Sequence, residues 1–222
     1  MKVLLVNGSP RRAEANSRIV LDALRSRLGE AHEYRMVETM TATGAEAEDL
    51  DADLIVLAFP LYIDSLHSRL LSWLLSYESL RRNAPASAVR RTRMIAVANN
   101  GFHEGVQNRT ALEIVAHFCS RSGIEWRGGV GIGTGEMLRN MKEAPDDMVI
   151  KRPVSRALDA IASRVMDETA PADNLYVQHA FPWLIYKAMG HAGWRKQARA
   201  HGVGRREMLA KPITTAQTHG IP

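Results

Sequence analysis

The chain has 222 residues, 45% hydrophobic and 24% charged, with a formal net charge of +5, which excludes a disordered or fibrous chain and allows one sizeable core plus an extension. The single cysteine, Cys119, excludes an intrachain disulfide and a cysteine metal cluster, and the eight histidines show no HExxH or tight pairing, so no metal site is expected. MKVLLV is too short for a signal core and no apolar run nears the ~20 residues that span a bilayer, so a cytoplasmic protein with no transmembrane segment is expected.

KVLLVN (residues 2–7) is an unbroken apolar run, the pattern of a strand covered on both faces. VNGSPRRAEANS (6–17) follows, and then Ile19, Val20, Leu24 and Leu28 fall on one helical stripe. EYRMVE (33–38) reads as a weaker second strand. Residues 39–52 are short for a helical crossover and predict one short, partly irregular helix. DLIVLAF (53–59) is the third strand. FPLYIDSLHSRL (59–70) leaves it, with Pro60 and Tyr62 as a stiff apolar shelf and Asp64 and Ser65 expected to cap the helix marked by Leu66, Leu70 and Leu74 and, a turn wider, Leu71 and Leu75.

RMIAVAN (93–99) is the fourth strand, leading into VANNGFHEGVQN (97–108) and a helix with Leu112, Val115 and Cys119, flanked by Ile114 and Phe118. GGVGIG (128–133) is the fifth strand, and its loop carries glycines at 129, 131, 133 and 135, a backbone kept bare for close approach or a mobile loop. PVSRALDAIASRVM (153–166) is amphipathic, with Val154, Leu158, Ile161 and Val165 on one face. The closing LYVQHAFPWLIYKAMGHAGWRKQARAHG is aromatic first and basic afterwards. From Leu175 onward Lys187, Arg195, Lys196, Arg199, Arg205, Arg206 and Lys211 stand against Glu207 alone, so this tail carries more than the whole net charge.

Strand and helix alternate, which predicts an α/β doubly wound sheet; five parallel strands fit the order 2-1-3-4-5. A main domain over 1–170 and a helical, basic C-terminal extension over 171–222 are expected. In such sheets ligands bind beyond the carboxyl ends of the strands, so the loops there belong together. Gly8 permits a sharp turn, Ser9 and Ser17 offer hydroxyls, Asn16 or Ser17 suits the helix N-cap, and free N–H groups at the helix start with Arg11 or Arg12 suit an anion such as a phosphate. The same residues also serve an ordinary capped turn with two surface arginines. Asn99, Asn100 and Gly101 can present backbone amides, and Phe102 and His103 can flank a ring, although Asn–Gly is also a turn former. No GxGxxG, GxxxxGK[ST] or GxSxG occurs.

NGSPR with the following NS, then FPLYIDSLHSRLLSWL, then GGVGIGTGEML, resemble the flavodoxin-like NAD(P)H-dependent FMN reductase family in motif order from residue 1 to about 136. FPWLIYKAMGHAGWRKQARAHGV also resembles the C-terminal segment of some bacterial members. The resemblance implies a flavodoxin-like sheet, non-covalent FMN, and hydride passed from NADH or NADPH through FMN to a small acceptor such as a quinone, flavin, nitro or azo compound. It implies that Ser9, Arg11, Asn16 and Ser17 hold the phosphate, with Arg12 a further candidate. Pro60, Leu61, Tyr62 and Ile63 would line the isoalloxazine, and Asn99, Asn100, Gly101 and Phe102 would take its pyrimidine side. No side chain is singled out as catalytic, because the flavin carries the chemistry. Some relatives bind an iron–sulfur centre through cysteines near the second crossover; residues 39–52 hold none.

A homodimer is expected, since such flavin sites lie at dimer edges in the family. A flavodoxin-type electron carrier is an alternative, against which the basic charge counts. Another is a module that binds nucleic acid or membrane through the basic tail. No nucleic acid is expected; Phe181, Trp183, Leu184 and Tyr186 are expected instead to pack on the domain or on a second subunit.

Overall fold

The computed structural model describes residues 1–11, 15–167 and 169–210. Arg12 and Lys211 lie outside the described residues. The chain divides into two compact units, Met1–Ala180 and Phe181–Pro222.

The first unit is built on strands β1 (Lys2–Asn7), β2 (Glu33–Glu38), β3 (Leu54–Pro60), β4 (Arg93–Asn99), β5 (Glu125–Ile132) and β6 (Leu175–Val177). All pair in parallel, in the order β2-β1-β3-β4-β5-β6. The expected sheet of five strands therefore gains a sixth. β6 pairs Leu175, Tyr176 and Val177 with Val130, Gly131 and Ile132. Three residues are too few to show a periodicity, so LYV merges with the aromatic tail when read as sequence. The compact unit accordingly runs ten residues past the expected boundary at 170.

Successive side chains of a strand point to opposite faces, and here both faces are apolar. Leu4 and Val6 of β1, with Ile55, Leu57 and Phe59 of β3, face α2 (Ser68–Asn83) and α3 (Arg109–Ser122). Val3 and Leu5, with Leu54, Val56 and Ala58, face α1 (Asn16–Leu28) and α5 (Arg152–Met166). The stripe of α5 is buried as its periodicity predicts, from Val154 through Leu158 and Ile161 to Val165. On α2 the face is drawn by Leu70, Trp73, Leu74 and Tyr77, while Leu71 and Leu75 are exposed. The second crossover is a single short 3-10 turn, Ala47–Asp51, tied by reciprocal Glu46 and Asp49 bonds. α4 (Glu136–Asn140) follows β5.

Two capping expectations are corrected. α1 begins after Ala15, with Asn16 already its first residue and no side-chain cap bond. α2 begins after His67, whose Nδ1 accepts the N–H of Arg69 at 3.2 Å; Asp64 and Ser65 lie in a turn before it.

The second unit holds α6 (Trp183–Ala200) and α7 (Arg205–Met208). α6 has no buried residue, and its Trp183 and Leu184 are exposed in the single chain. No helix among the described residues is long and apolar enough to cross a membrane.

Candidate functional site

β1 has β2 on one side and β3 on the other, so the sheet changes winding direction beside its carboxyl end. A crevice is expected at such a switch point. A cavity of about 130 Å³ lies there, lined by Ser9, Arg11, Asn16, Ser17, Pro60, Leu61, Tyr62, Asn99, Asn100, Gly101, Gly135 and Glu136. Larger clefts exist, one of about 330 Å³ at Lys2, Glu33 and Ala52, but that one opens at the amino ends of the strands.

The β1–α1 loop is held from below. Gly8 donates its N–H to the Ala58 carbonyl at 2.8 Å. A Cβ there would meet Leu70 Cδ2 at 2.7 Å and Phe59 Cβ at 2.9 Å, so only glycine lets the loop lie this close to β3. Asn7 braces the turn: its Oδ1 accepts the Ser9 N–H at 3.1 Å and its Nδ2 donates to Glu38 at 2.7 Å. Ser9 Oγ accepts the Arg11 N–H at 3.2 Å, which leaves the hydroxyl proton to donate elsewhere. Ser17 Oγ is likewise an acceptor, for Asn99 Nδ2 at 3.4 Å, and keeps its proton. At the start of α1 the Arg18 and Ile19 N–H groups bond the Ala15 carbonyl at 3.0 and 3.3 Å, and those of Asn16 and Ser17 have no carbonyl within the helix to bond.

Asn16 is the most informative residue. Its Nδ2 donates to the Gly135 carbonyl at 2.9 Å, and its Oδ1 is buried with no hydrogen-bond partner among the described residues. The carbonyl of Gly135 can only accept, so the amide cannot be turned round. A buried acceptor left unsatisfied is costly.

The shelf after β3 is a tight hairpin. Tyr62 and Ser65 exchange both backbone bonds, at 3.0 and 2.9 Å. The two residues at its tip, Ile63 and Asp64, have φ of +46° and +56°. Positive φ at both central positions is what a type I′ turn demands, and a β-branched residue there is strained. The Tyr62 ring is steadied edge-on by His67, with centroids 5.3 Å apart. Ile63 does not line the cavity; it is 97% exposed at the turn tip.

The loop after β4 holds a correction. Of the amides expected to be presented, that of Asn100 is spent within the protein, donating to the Ile132 carbonyl at 3.0 Å; the Phe102 N–H donates to Asn100 Oδ1 at 2.8 Å. Asn99 Nδ2 bonds the Phe59 carbonyl at 3.1 Å. These asparagines build the loop first and present surface to the cavity second. Phe102 is exposed and lies outside the cavity lining.

Ten of the twelve expected residues thus converge on one cavity, and Ile63 and Phe102 do not. Gly135 and Glu136 join the ten. The glycine run pointed at their loop without singling them out, and a Cβ on Gly135 would meet the Asn100 carbonyl at 2.5 Å. Thr134 and His179, which stand behind that loop, carried no sequence signal.

No protein-family model matches the chain, and no curated protein does. Solved structures do. An NADH:FMN oxidoreductase in its apo form superposes with a TM-score of 0.55 at 15% identity, over 77% of this chain and 91% of that one. Trp repressor binding protein from Bacillus subtilis gives 0.51 at 14%, over 72% and 99%. An azoreductase from Bacillus anthracis gives 0.50 at 15%, over 74% and 98%. With the strand order 2-1-3-4-5 inside the sheet, these settle the architecture.

The fold is flavodoxin-like.

A flavodoxin-like sheet says where a ligand goes and not which ligand; the lining residues must say that. Their chemistry divides along the cavity. Ser9, Ser17, Arg11 and the start of α1 are donors and suit an anion. The Glu136 carboxylate is an acceptor and suits hydroxyl groups. Pro60, Leu61 and Tyr62 are apolar and suit a flat ring. Cys119 is not part of this: it is fully buried on α3, and burial pushes its thiol up to about 12.

Proposed function

We propose that the protein binds FMN at this cavity and is an NAD(P)H-dependent oxidoreductase acting on a small acceptor. One cavity at the switch point carries the reading: it brings Ser9, Arg11, Asn16 and Ser17 together with the apolar Pro60, Leu61 and Tyr62. The cavity of about 130 Å³ is below the roughly 300–1,000 Å³ of enclosed ligand pockets. It suits the ribityl phosphate, with the ring lying out over Tyr62 and open to a second molecule. The superposed azoreductase and NADH:FMN oxidoreductase agree with this reading.

FMN, if bound here, would supply two-electron chemistry between a reduced nicotinamide and a quinone, flavin, nitro or azo compound. The chain's own residues hold and orient. Ser9, Ser17 and Arg11 grip the phosphate through charge-assisted bonds, while Glu136 accepts from hydroxyls. Tyr62, braced by His67, walls one side of the ring. A homodimer belongs to the proposal, in which a second subunit would cover the exposed Phe102.

The test is direct. The purified protein should show flavin absorption bands that bleach with dithionite, or take up FMN in a titration. It should then oxidise NADH or NADPH steadily with a small acceptor present. Replacing Ser9 and Ser17 together by alanine should weaken FMN retention. A colourless protein that takes up no FMN refutes the proposal; flavin reduced only through a partner reductase would make the protein an electron carrier instead.

A further inference from the structure

The sixth strand places His179 behind the β5–α4 loop, and we infer that His179 is a positioning residue for the cavity: through Thr134 and Gly135 it holds the Asn16 side chain in place in the cavity wall. The inference rests on the FMN reading above.

His179 is 1% exposed. Its backbone N–H donates to Thr134 Oγ1 at 3.0 Å, and its ring Nδ1 lies 2.9 Å from the same oxygen. Thr134 Oγ1 is also 2.5 Å from the Gly133 carbonyl. A hydroxyl has one proton and two lone pairs. The Gly133 carbonyl can only accept, so the proton goes to it. Both lone pairs then accept, one from the His179 backbone and one from its ring. The ring must therefore carry its proton on Nδ1, and the hydroxyl is saturated. The proton position is assigned by this count.

Thr134 needs such a clamp. Its φ is +55°, a left-handed conformation that a β-branched residue adopts only where its surroundings over-determine it. The surroundings come from two sides. On one, Thr134 and Gly135 donate their N–H groups to the carbonyls of Phe102 and Asn100, at 2.6 and 2.7 Å. On the other, Gly133 donates to the Val177 carbonyl at 2.8 Å, and His179 closes on the hydroxyl. There is no slack: a Cβ on Gly133 would meet the His103 carbonyl at 2.2 Å.

The clamp has a consequence in the cavity. The next carbonyl along, that of Gly135, takes the Asn16 Nδ2 donor, and this bond leaves Asn16 Oδ1 buried and unpartnered among the described residues. If Thr134 relaxes, the Gly135 carbonyl turns and Asn16 loses its orientation. β6 thus reaches the ligand without touching it.

FMN titrations by fluorescence quenching test this, with His179→Ala, His179→Asn, Asn16→Ala and the Asn16→Ala/His179→Ala pair. Loss of one orienting hydrogen bond is worth about tenfold in Kd, so His179→Ala should raise Kd about tenfold. His179→Asn keeps a donor near the Nδ1 position and should stay within about threefold of wild type. Once Asn16 is gone, removing His179 should add nothing, a non-additivity that a merely structural role would not produce. Thr134→Val keeps the shape and deletes the acceptor; it should match His179→Ala and carries the test if His179→Ala does not fold. In flavin-free protein the Thr134 and Gly135 amides should exchange with deuterium faster in His179→Ala. Unchanged Kd in both His179→Ala and Thr134→Val, or additive losses in the pair, would overturn the inference. Wild-type protein that binds no FMN would instead bring down the proposed function itself.

Discussion

Ile63 offers a measurement of strain with little else mixed in. Its φ is +46°, and its side chain is 97% exposed, so replacing it loses no packing. Holding an L-residue in the left-handed region costs roughly 1–2 kcal/mol, and β-branching leaves Ile no local hydrogen bond to offset that. Asn adopts this conformation readily and, unlike Gly, adds little chain entropy to the unfolded state. Ile63→Asn should therefore stabilise the protein by about 1 kcal/mol. In a unit of this size that corresponds to a rise of roughly 2–4 °C in Tm. Urea unfolding of flavin-free protein, followed by circular dichroism, should show a higher midpoint at unchanged slope. FMN affinity should stay within about twofold, because Ile63 does not line the cavity. An unchanged or lowered midpoint would refute the assignment of strain to this turn.

Gly8→Ala should destabilise by about 1–3 kcal/mol through overpacking against Leu70 and Phe59, and should weaken FMN binding because the loop must rise; calorimetry and titration read the two effects. Burial, with Lys151 nearby, lowers the His179 pKa to about 4. The unfolded chain takes up that proton near its ordinary value of ~6.5, so stability present above pH 6.5 should be lost as pH falls toward 4, at up to about 1.4 kcal/mol per pH unit. Against wild type, His179→Asn should flatten denaturation midpoints across that window; parallel profiles would contradict the assignment. Cys119 is buried with its thiol raised to about 12, so it should resist a thiol reagent in the native protein and react once urea unfolds it.

Much of the main unit was legible in the chain because its strands are covered on both faces. Burial on both sides demands unbroken apolar runs, and KVLLVN and RMIAVAN coincide with β1 and β4 end to end. Helices α1, α3 and α5 declared themselves by the 3.6-residue period of one buried stripe. Glycine at position 8 and the hydroxyls at 9 and 17 marked an anion loop because that chemistry needs those residue types near a helix start. Local composition could not show which polar groups would remain available. Asn99 and Asn100 read as ligand donors, yet the loops consume their bonds. Asn16 read as a donor to phosphate, and its Nδ2 is instead taken by the carbonyl of Gly135, 119 residues away.

The sequence by itself determined the alternation of buried strands and amphipathic helices, because periodicity and apolar content are properties of neighbours along the chain. Tertiary structure alone decided the sixth strand, the clamp of His179 on Thr134, and which acceptor is left orphaned. Those depend on contacts between residues far apart in the chain, where a single hydrogen bond selects one of two chemically equivalent ends of a side chain.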